Sequence, residues 1–161
     1  MNPTLRELYQ SQILEHSGHP RNYGPLPGAT HQAAIDNPLC GDMISVALQV
    51  ESKVQDPAAP PRIQVARFAG DGCAIARASA SLLTTMVTGK TVVEARALAA
   101  ELQRFLASPS PTDAAEPDHS AEFPALGELV ALQGLRSVPS RRRCGTLPWE
   151  ALVAALASPP V

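Results

Sequence analysis

Long apolar runs are missing from this chain. Charges break every hydrophobic stretch well short of the ~18 residues that a membrane span requires, which excludes a spanning helix. The opening residues MNPTLRELYQ lack the apolar centre of a secretory signal, so the reading is cytoplasmic. Charge is also scarce and balanced: charged residues make up 17%, with 13 Lys+Arg against 15 Asp+Glu and a net charge of -2. The one run of like charge is Arg141-Arg142-Arg143, which is no nucleic-acid footprint. There are only 3 cysteines, Cys40, Cys73 and Cys144, an odd number that cannot form a complete disulfide framework. In a reducing compartment they stay thiols, available for metal binding, nucleophilic chemistry or plain burial.

What is present is apolar material. Hydrophobic residues make up 45% of 161 residues, enough for a real core in one domain, so generic disorder is excluded. Prolines, 16 in all, are about twice as frequent as usual and gather in the expected loops. Thr4-Leu5-Arg6-Glu7 is a capping box that predicts a helix from Leu5 to His16, with Leu5, Leu8, Tyr9 and Ile13 on one buried face. A Gly/Pro loop follows, then a short strand at Gln32–Asp36 and an alternating strand at Met43–Glu51 with Ile44, Val46, Leu48 and Val50 inward. The Pro-rich stretch 55–61 joins it to an antiparallel partner at Arg62–Ala69, whose alternation breaks near Phe68. Helices are expected at Ala74–Thr88, closed by Gly89, and from the capping box Thr91-Val92-Val93-Glu94 to Leu106. A mobile Ser/Pro/Asp/Ala connector is expected at 107–120. Beyond it come a short helix at Pro124–Leu132 ended by Gly134, and a last one from Pro148 to Ala157. No internal repeat is present. One helix, about three strands and then helices alone argue an α+β fold with helices on one face of a small antiparallel sheet.

The chemistry lies around the cysteines. Asn37-Pro38-Leu39-Cys40-Gly41-Asp42 puts a thiol and a carboxylate two residues apart in a turn before a strand. Gly70-Asp71-Gly72-Cys73 sits where a strand ends and a helix begins, so helix-end amides should favour the thiolate. Arg141-Arg142-Arg143-Cys144-Gly145 sets guanidinium groups beside the third thiol, with the same expected effect. Two readings compete: small buried hydrophobes, the usual fate of free cysteine, or a metal or reactive site. The wide spacing of the three cysteines matches no close-spaced zinc pattern. Cys40, Asp42, Cys73 and Cys144 would nevertheless complete a tetrahedral S3O set. His16, His19, His31 and His119 read as solvated, Trp149 as a core anchor, and Arg141–Arg143 either as a solvated face or as a docking and thiolate-activating element.

Three motifs in order, Asn-Pro-Leu-Cys-Gly-Asp, Gly-Asp-Gly-Cys-Ala-Ile-Ala-Arg-Ala-Ser-Ala-Ser and Arg-Cys-Gly-Thr-Leu-Pro-Trp, resemble the iron-sulfur cluster assembly scaffold superfamily, which includes IscU and the NifU N-terminal domain. The resemblance runs from about Leu5 to Ala157. It implies an α+β fold with a three-stranded antiparallel sheet, and Cys40, Asp42, Cys73 and Cys144 as ligands. Arg143 stands where IscU-like scaffolds have a histidine, and the stretch between the second and third cysteines is longer than theirs. Both features, and Arg141 three residues before the last cysteine, resemble the SufU branch. That branch implies a bound zinc and a sulfur acceptor for a SufS-type cysteine desulfurase, a persulfide relay rather than a stand-alone enzyme. Cys40 is then the acceptor, in a Pro- and Gly-bounded turn that can swing out, and Arg141 and Arg143 form a basic rim toward the partner. Downstream iron-sulfur assembly proteins would receive the sulfur. The alternatives are a scaffold holding a transient iron-sulfur cluster on the same cysteines, and a non-catalytic zinc module that activates the desulfurase.

Overall fold

A computed structural model describes residues 5–38, 40–51, 58–108 and 123–158. The chain order is α1 (Leu5–Gly18), β1 (His31–Asn37), β2 (Asp42–Glu51), β3 (Arg62–Asp71), α2 (Ala74–Val87) and α3 (Val92–Ala107), then two 3-10 segments (Gly127–Ser137 and Pro139–Arg141) and α4 (Arg142–Ala157). The sheet is three-stranded and antiparallel in the order β1-β2-β3. This is the α+β architecture expected from the chain. The capping threonine at residue 4 and nearly all of the 107–120 connector lie outside the described residues.

Alternation sets the inner face of the sheet. Ile44, Val46 and Leu48 on β2 are fully buried, and Ile63, Ala66 and Phe68 on β3 join them beneath α2 and α4. Each fully buried aliphatic side chain contributes about 1.5–3 kcal/mol by leaving water. The break in β3 falls earlier than Phe68. Register shifts between Gln49 and Val50, which face Val65 and Ile63, so Gln64 is the extra residue and the buried positions step from Ile63 to Ala66. Phe68 is regular: the 22–24 segment runs along its outer edge, with Phe68 N–H donating to Asn22 O at 3.1 Å and Gly24 N–H to Phe68 O at 2.9 Å. Tyr23 meets the Phe68 ring edge-on at 5.2 Å. Near the far end of β3, Gly70 has φ +115°, and any Cβ there would run into the Met43 carbonyl oxygen. Only glycine lets β3 lie this close to the start of β2.

The helices are punctuated as expected in two places and differently in three. Gly89 at φ +87° follows α2 and donates its N–H to Ile63 O at 2.8 Å. At the start of α3, Thr91 Oγ1 accepts from Glu94 N–H at 3.1 Å and donates to Glu94 Oε1 at 3.0 Å. In α1 the expected face is displaced, since Leu8 is 50% exposed. The inward stripe is Tyr9, Ile13, His16 and Ser17, because the last turn docks on α2 through His16 Nδ1 and Ser81 Oγ at 2.7 Å. His16 is therefore buried rather than solvated. The short helix before Gly134 is a 3-10 segment that runs through it to Ser137. The last helix begins at Arg142, six residues before Pro148. Pro139 is the proline that opens this region, at the first position of the 3-10 turn leading into α4. Pro148 lies inside α4 and removes the N–H that would bond to the Cys144 carbonyl. Fully buried Leu147, Trp149 and Leu152 hold the helix across that gap.

Burial of His16, helped by Arg21, lowers its pKa from the ordinary 6.5, with Glu128 and Glu15 opposing. A depressed folded-state pKa means that the unfolded chain takes up the proton first, so stability is retained above about pH 6.5 and falls as the pH drops below it. Chemical denaturation between pH 5 and 7.5 should show this loss, and His16→Gln should flatten it. An equal acid slope in both proteins would contradict the assignment.

Candidate metal centre

The β1–β2 hairpin places the first thiol. Asn37 pairs with Asp42 across it, and the Asn37 carbonyl accepts both the Cys40 N–H at 3.2 Å and the Gly41 N–H at 2.8 Å. Gly41, at φ +75°, turns the chain so that Cys40 stays exposed while Asp42, the first residue of β2, enters the core face. Asp42 is 7% exposed, and its Oδ1 accepts the Cys73 N–H at 3.2 Å. Cys73 is the N-cap of α2 and makes no side-chain capping bond, so its thiol is not tied to the helix end, while Asp42 holds the cap residue by its own N–H. A Cβ on Gly72 would stand 3.6 Å from Asp42 Cγ and 3.1 Å from Ala76 Cβ, so little room separates this corner from the carboxylate.

Cys144 arrives from the other side. It lies in the first turn of α4 and is 5% exposed. Ser79, on α2, donates its hydroxyl to the Gly145 carbonyl and accepts the indole N–H of Trp149 at 3.2 Å. This buried chain clamps the start of α4 to the helix whose N-cap is Cys73. Ser79 carried no signal of its own in the sequence beyond its place in the Ala-Ser-Ala-Ser run after Cys73.

The result is a cluster. The Cys40 and Cys144 thiols and an Asp42 carboxylate oxygen all lie within 4.8 Å of one another. Cys73 stands outside that mutual group but beside Cys144. Burial, then contact with Cys73, then the charges of Cys73, Cys40 and Asp42 push the Cys144 thiol up to about 11. No arginine is among the causes of this shift. Arg143 Nε instead pairs with Glu150 Oε2 at 3.3 Å, and Arg141 is exposed. Among the described histidines none joins the cluster; His31 Nδ1 is 2.9 Å from Thr30 Oγ1, and His119 lies outside the described residues. Trp149 is fully buried, as a core anchor should be.

These residues fit a cation. Asp42 Oδ2 is buried with no hydrogen-bond partner, a state that costs about 1–3 kcal/mol for an ordinary polar group and more for a charged one. A metal bonded there would supply the missing partner and offset the burial and the neighbouring charges that push the Cys144 thiol up. Thiolates with one carboxylate suit zinc, and thiolates also suit iron.

A small α+β domain that gathers three thiols and a carboxylate at one end of its sheet is a cysteine-cluster protein. The chain belongs to the NifU-like N terminal domain family, whose model matches residues 8–145. It is 35% identical to the iron-sulfur cluster assembly scaffold protein IscU of Streptococcus pyogenes serotype M1, over 94% of this chain and 84% of that one. It is 31% identical to the zinc-dependent sulfurtransferase SufU of Bacillus subtilis strain 168, over 97% of this chain and 94% of that one. The crystal structure of the N-terminal part of a NifU-like protein from Brucella abortus superposes with a TM-score of 0.70 at 21% identity, covering 92% of this chain and 91% of that one, and shares the fold. No helix among the described residues is long and apolar enough to cross a membrane.

The raised Cys144 pKa carries a sign. The unfolded thiol loses its proton near pH 9 and the folded one near 11, so the metal-free chain should lose stability as the pH rises through that window. Cys144→Ser should remove this alkaline slope and also lower bound zinc, while Asp42→Asn, which loses the harder donor, should keep more metal. Denaturation curves from pH 8 to 11 and metal analysis of both variants check this. A retained slope in Cys144→Ser, or equal metal loss in both, would contradict it.

Proposed function

We propose that this protein is a zinc-dependent sulfur acceptor in iron-sulfur cluster assembly, taking persulfide sulfur from a SufS-type cysteine desulfurase in the cytoplasm. The carrying observation is the unequal exposure of the clustered thiols: Cys40 is open to a partner, while Cys144 and Asp42 are buried behind it. Cys40, Asp42, Cys73 and Cys144 would hold the zinc, which keeps the thiols deprotonated at neutral pH when bound. Cys40 attacks the outer sulfur of the donor persulfide, a new S–S bond forms on Cys40, and the donor cysteine leaves as thiolate. Gly41 supports the swing of the turn that presents Cys40. The exposed Arg141 and Arg143 form a basic rim at this end, where they would set the rate of partner association and its salt dependence. Arg143, in the position before the last cysteine, favours this reading over the histidine-bearing scaffold pattern.

The second reading is a scaffold that carries a nascent cluster on the same cysteines, and the 35% identity to a protein named IscU favours it. Both place the chain among scaffold-type proteins of cluster assembly.

After incubation of the zinc-loaded chain with desulfurase and cysteine, mass spectrometry should find one added sulfur on the peptide containing Cys40. Cys40→Ala should abolish stimulation of the desulfurase. Added sulfur on Cys73 or Cys144 with Cys40 unmodified would overturn the acceptor assignment, and a stable cluster with no sulfur adduct would favour the scaffold.

A further inference from the structure

We propose that the metal-free chain has a second activity on the same cysteines: it discharges a persulfide on Cys40 as sulfide, with Cys144 as the resolving thiol. The inference rests on the reading of Cys40 as a sulfur acceptor. Its ground is the juxtaposition of two unlike thiols, one exposed in a turn and one 5% exposed in the first turn of α4, with sulfurs no more than 4.8 Å apart.

Attack of sulfur on sulfur begins from a separation of roughly 3–3.5 Å, so the turn must close by less than about 2 Å. Gly41, at φ +75°, sets the turn that carries Cys40, and the Cys40 and Gly41 amides share the single Asn37 carbonyl, so a shift of the turn has only that one acceptor to disturb. Cys144 is fixed by comparison, since the Ser79 hydroxyl and the Trp149 indole clamp its helix start. Cys73 lies outside the mutual group formed by Cys40, Asp42 and Cys144, and Cys144 is the thiol that shares that group with Cys40.

The step balances without an external oxidant. Cys144 Sγ bonds to Cys40 Sγ, the inner sulfur of the persulfide, and the bond from Cys40 Sγ to the outer sulfur breaks. The electron pair leaves with the outer sulfur, which takes the Cys144 proton and departs as hydrogensulfide. The sulfane sulfur is reduced to sulfide as two thiol sulfurs become a disulfide. When Cys144 is engaged as a ligand it is withheld from this attack, so metal loading decides whether sulfur on Cys40 is kept for transfer or lost.

The test uses the full-length chain, stripped of metal and reduced, with glutathione persulfide as donor so that no desulfurase is needed. Sulfide should appear together with a Cys40–Cys144 cross-linked peptide and the loss of two hydrogens from the chain mass. Zinc-loaded protein should keep the added sulfur on Cys40 and release little sulfide. Cys144→Ser should hold the persulfide and release no more sulfide than Cys40→Ser. A stable Cys40 persulfide in the unaltered metal-free chain, a Cys40–Cys73 cross-link, or undiminished sulfide release from Cys144→Ser would overturn the proposal; the first two are read without any substitution. If glutathione persulfide gives the cross-link but a desulfurase transfers no sulfur, the discharge activity stands and the assigned partner falls.

Discussion

The Asp42 carboxylate, half satisfied in a buried corner, is the constraint on which this structure turns. One oxygen accepts the Cys73 N–H at 3.2 Å, and the other has no hydrogen-bond partner. Burying a charged oxygen without a partner is costly, and no salt bridge to Asp42 is found among the described residues. Its neighbours are thiols, themselves poor at accepting negative charge in the same corner. The push of the Cys144 thiol up to about 11 expresses that same crowding.

The rest of the architecture delivers four donors to this corner from three separate places. A tight hairpin brings Cys40 and Asp42, the strand-to-helix junction brings Cys73, and the start of α4 brings Cys144. Gly70 lets β3 approach β2 so that the junction lies over Asp42. Ser79 then joins α2 to α4 from within the core, through the Gly145 carbonyl and the Trp149 indole. With so few charged side chains in the chain, rigidity here comes from backbone closeness and neutral hydrogen bonds instead of ion pairs.

How much of this was legible beforehand depended on the range of the signal. Alternation in β2 and the Thr91–Glu94 capping box are local, and both appear in the fold. The sheet and its pairing direction appear as well, and the structure sets Cys40, Asp42 and Cys144 within 4.8 Å of one another. Non-local effects were hidden. The start of α4 was misplaced because Pro139 and Pro148 carry the same local preference, and only packing of Leu147 and Trp149 tells them apart. The buried stripe of α1 was misjudged because a polar residue, His16, faces inward to meet Ser81, which lies 65 residues further along the chain. Adjacency in the Arg141–Arg143 run also does not tell that the helix turns Arg143 toward Glu150, seven residues further on.

The central claim is that this corner is a single cation site with three sulfur donors and one oxygen. X-ray absorption at the zinc edge of the zinc-loaded chain measures that shell directly. Three sulfur neighbours near 2.3 Å and one oxygen near 2.0–2.2 Å, the usual distances for such bonds at about these values, would agree with the account. A shell dominated by nitrogen and oxygen, or one that keeps all its sulfur in Cys144→Ser, would contradict it.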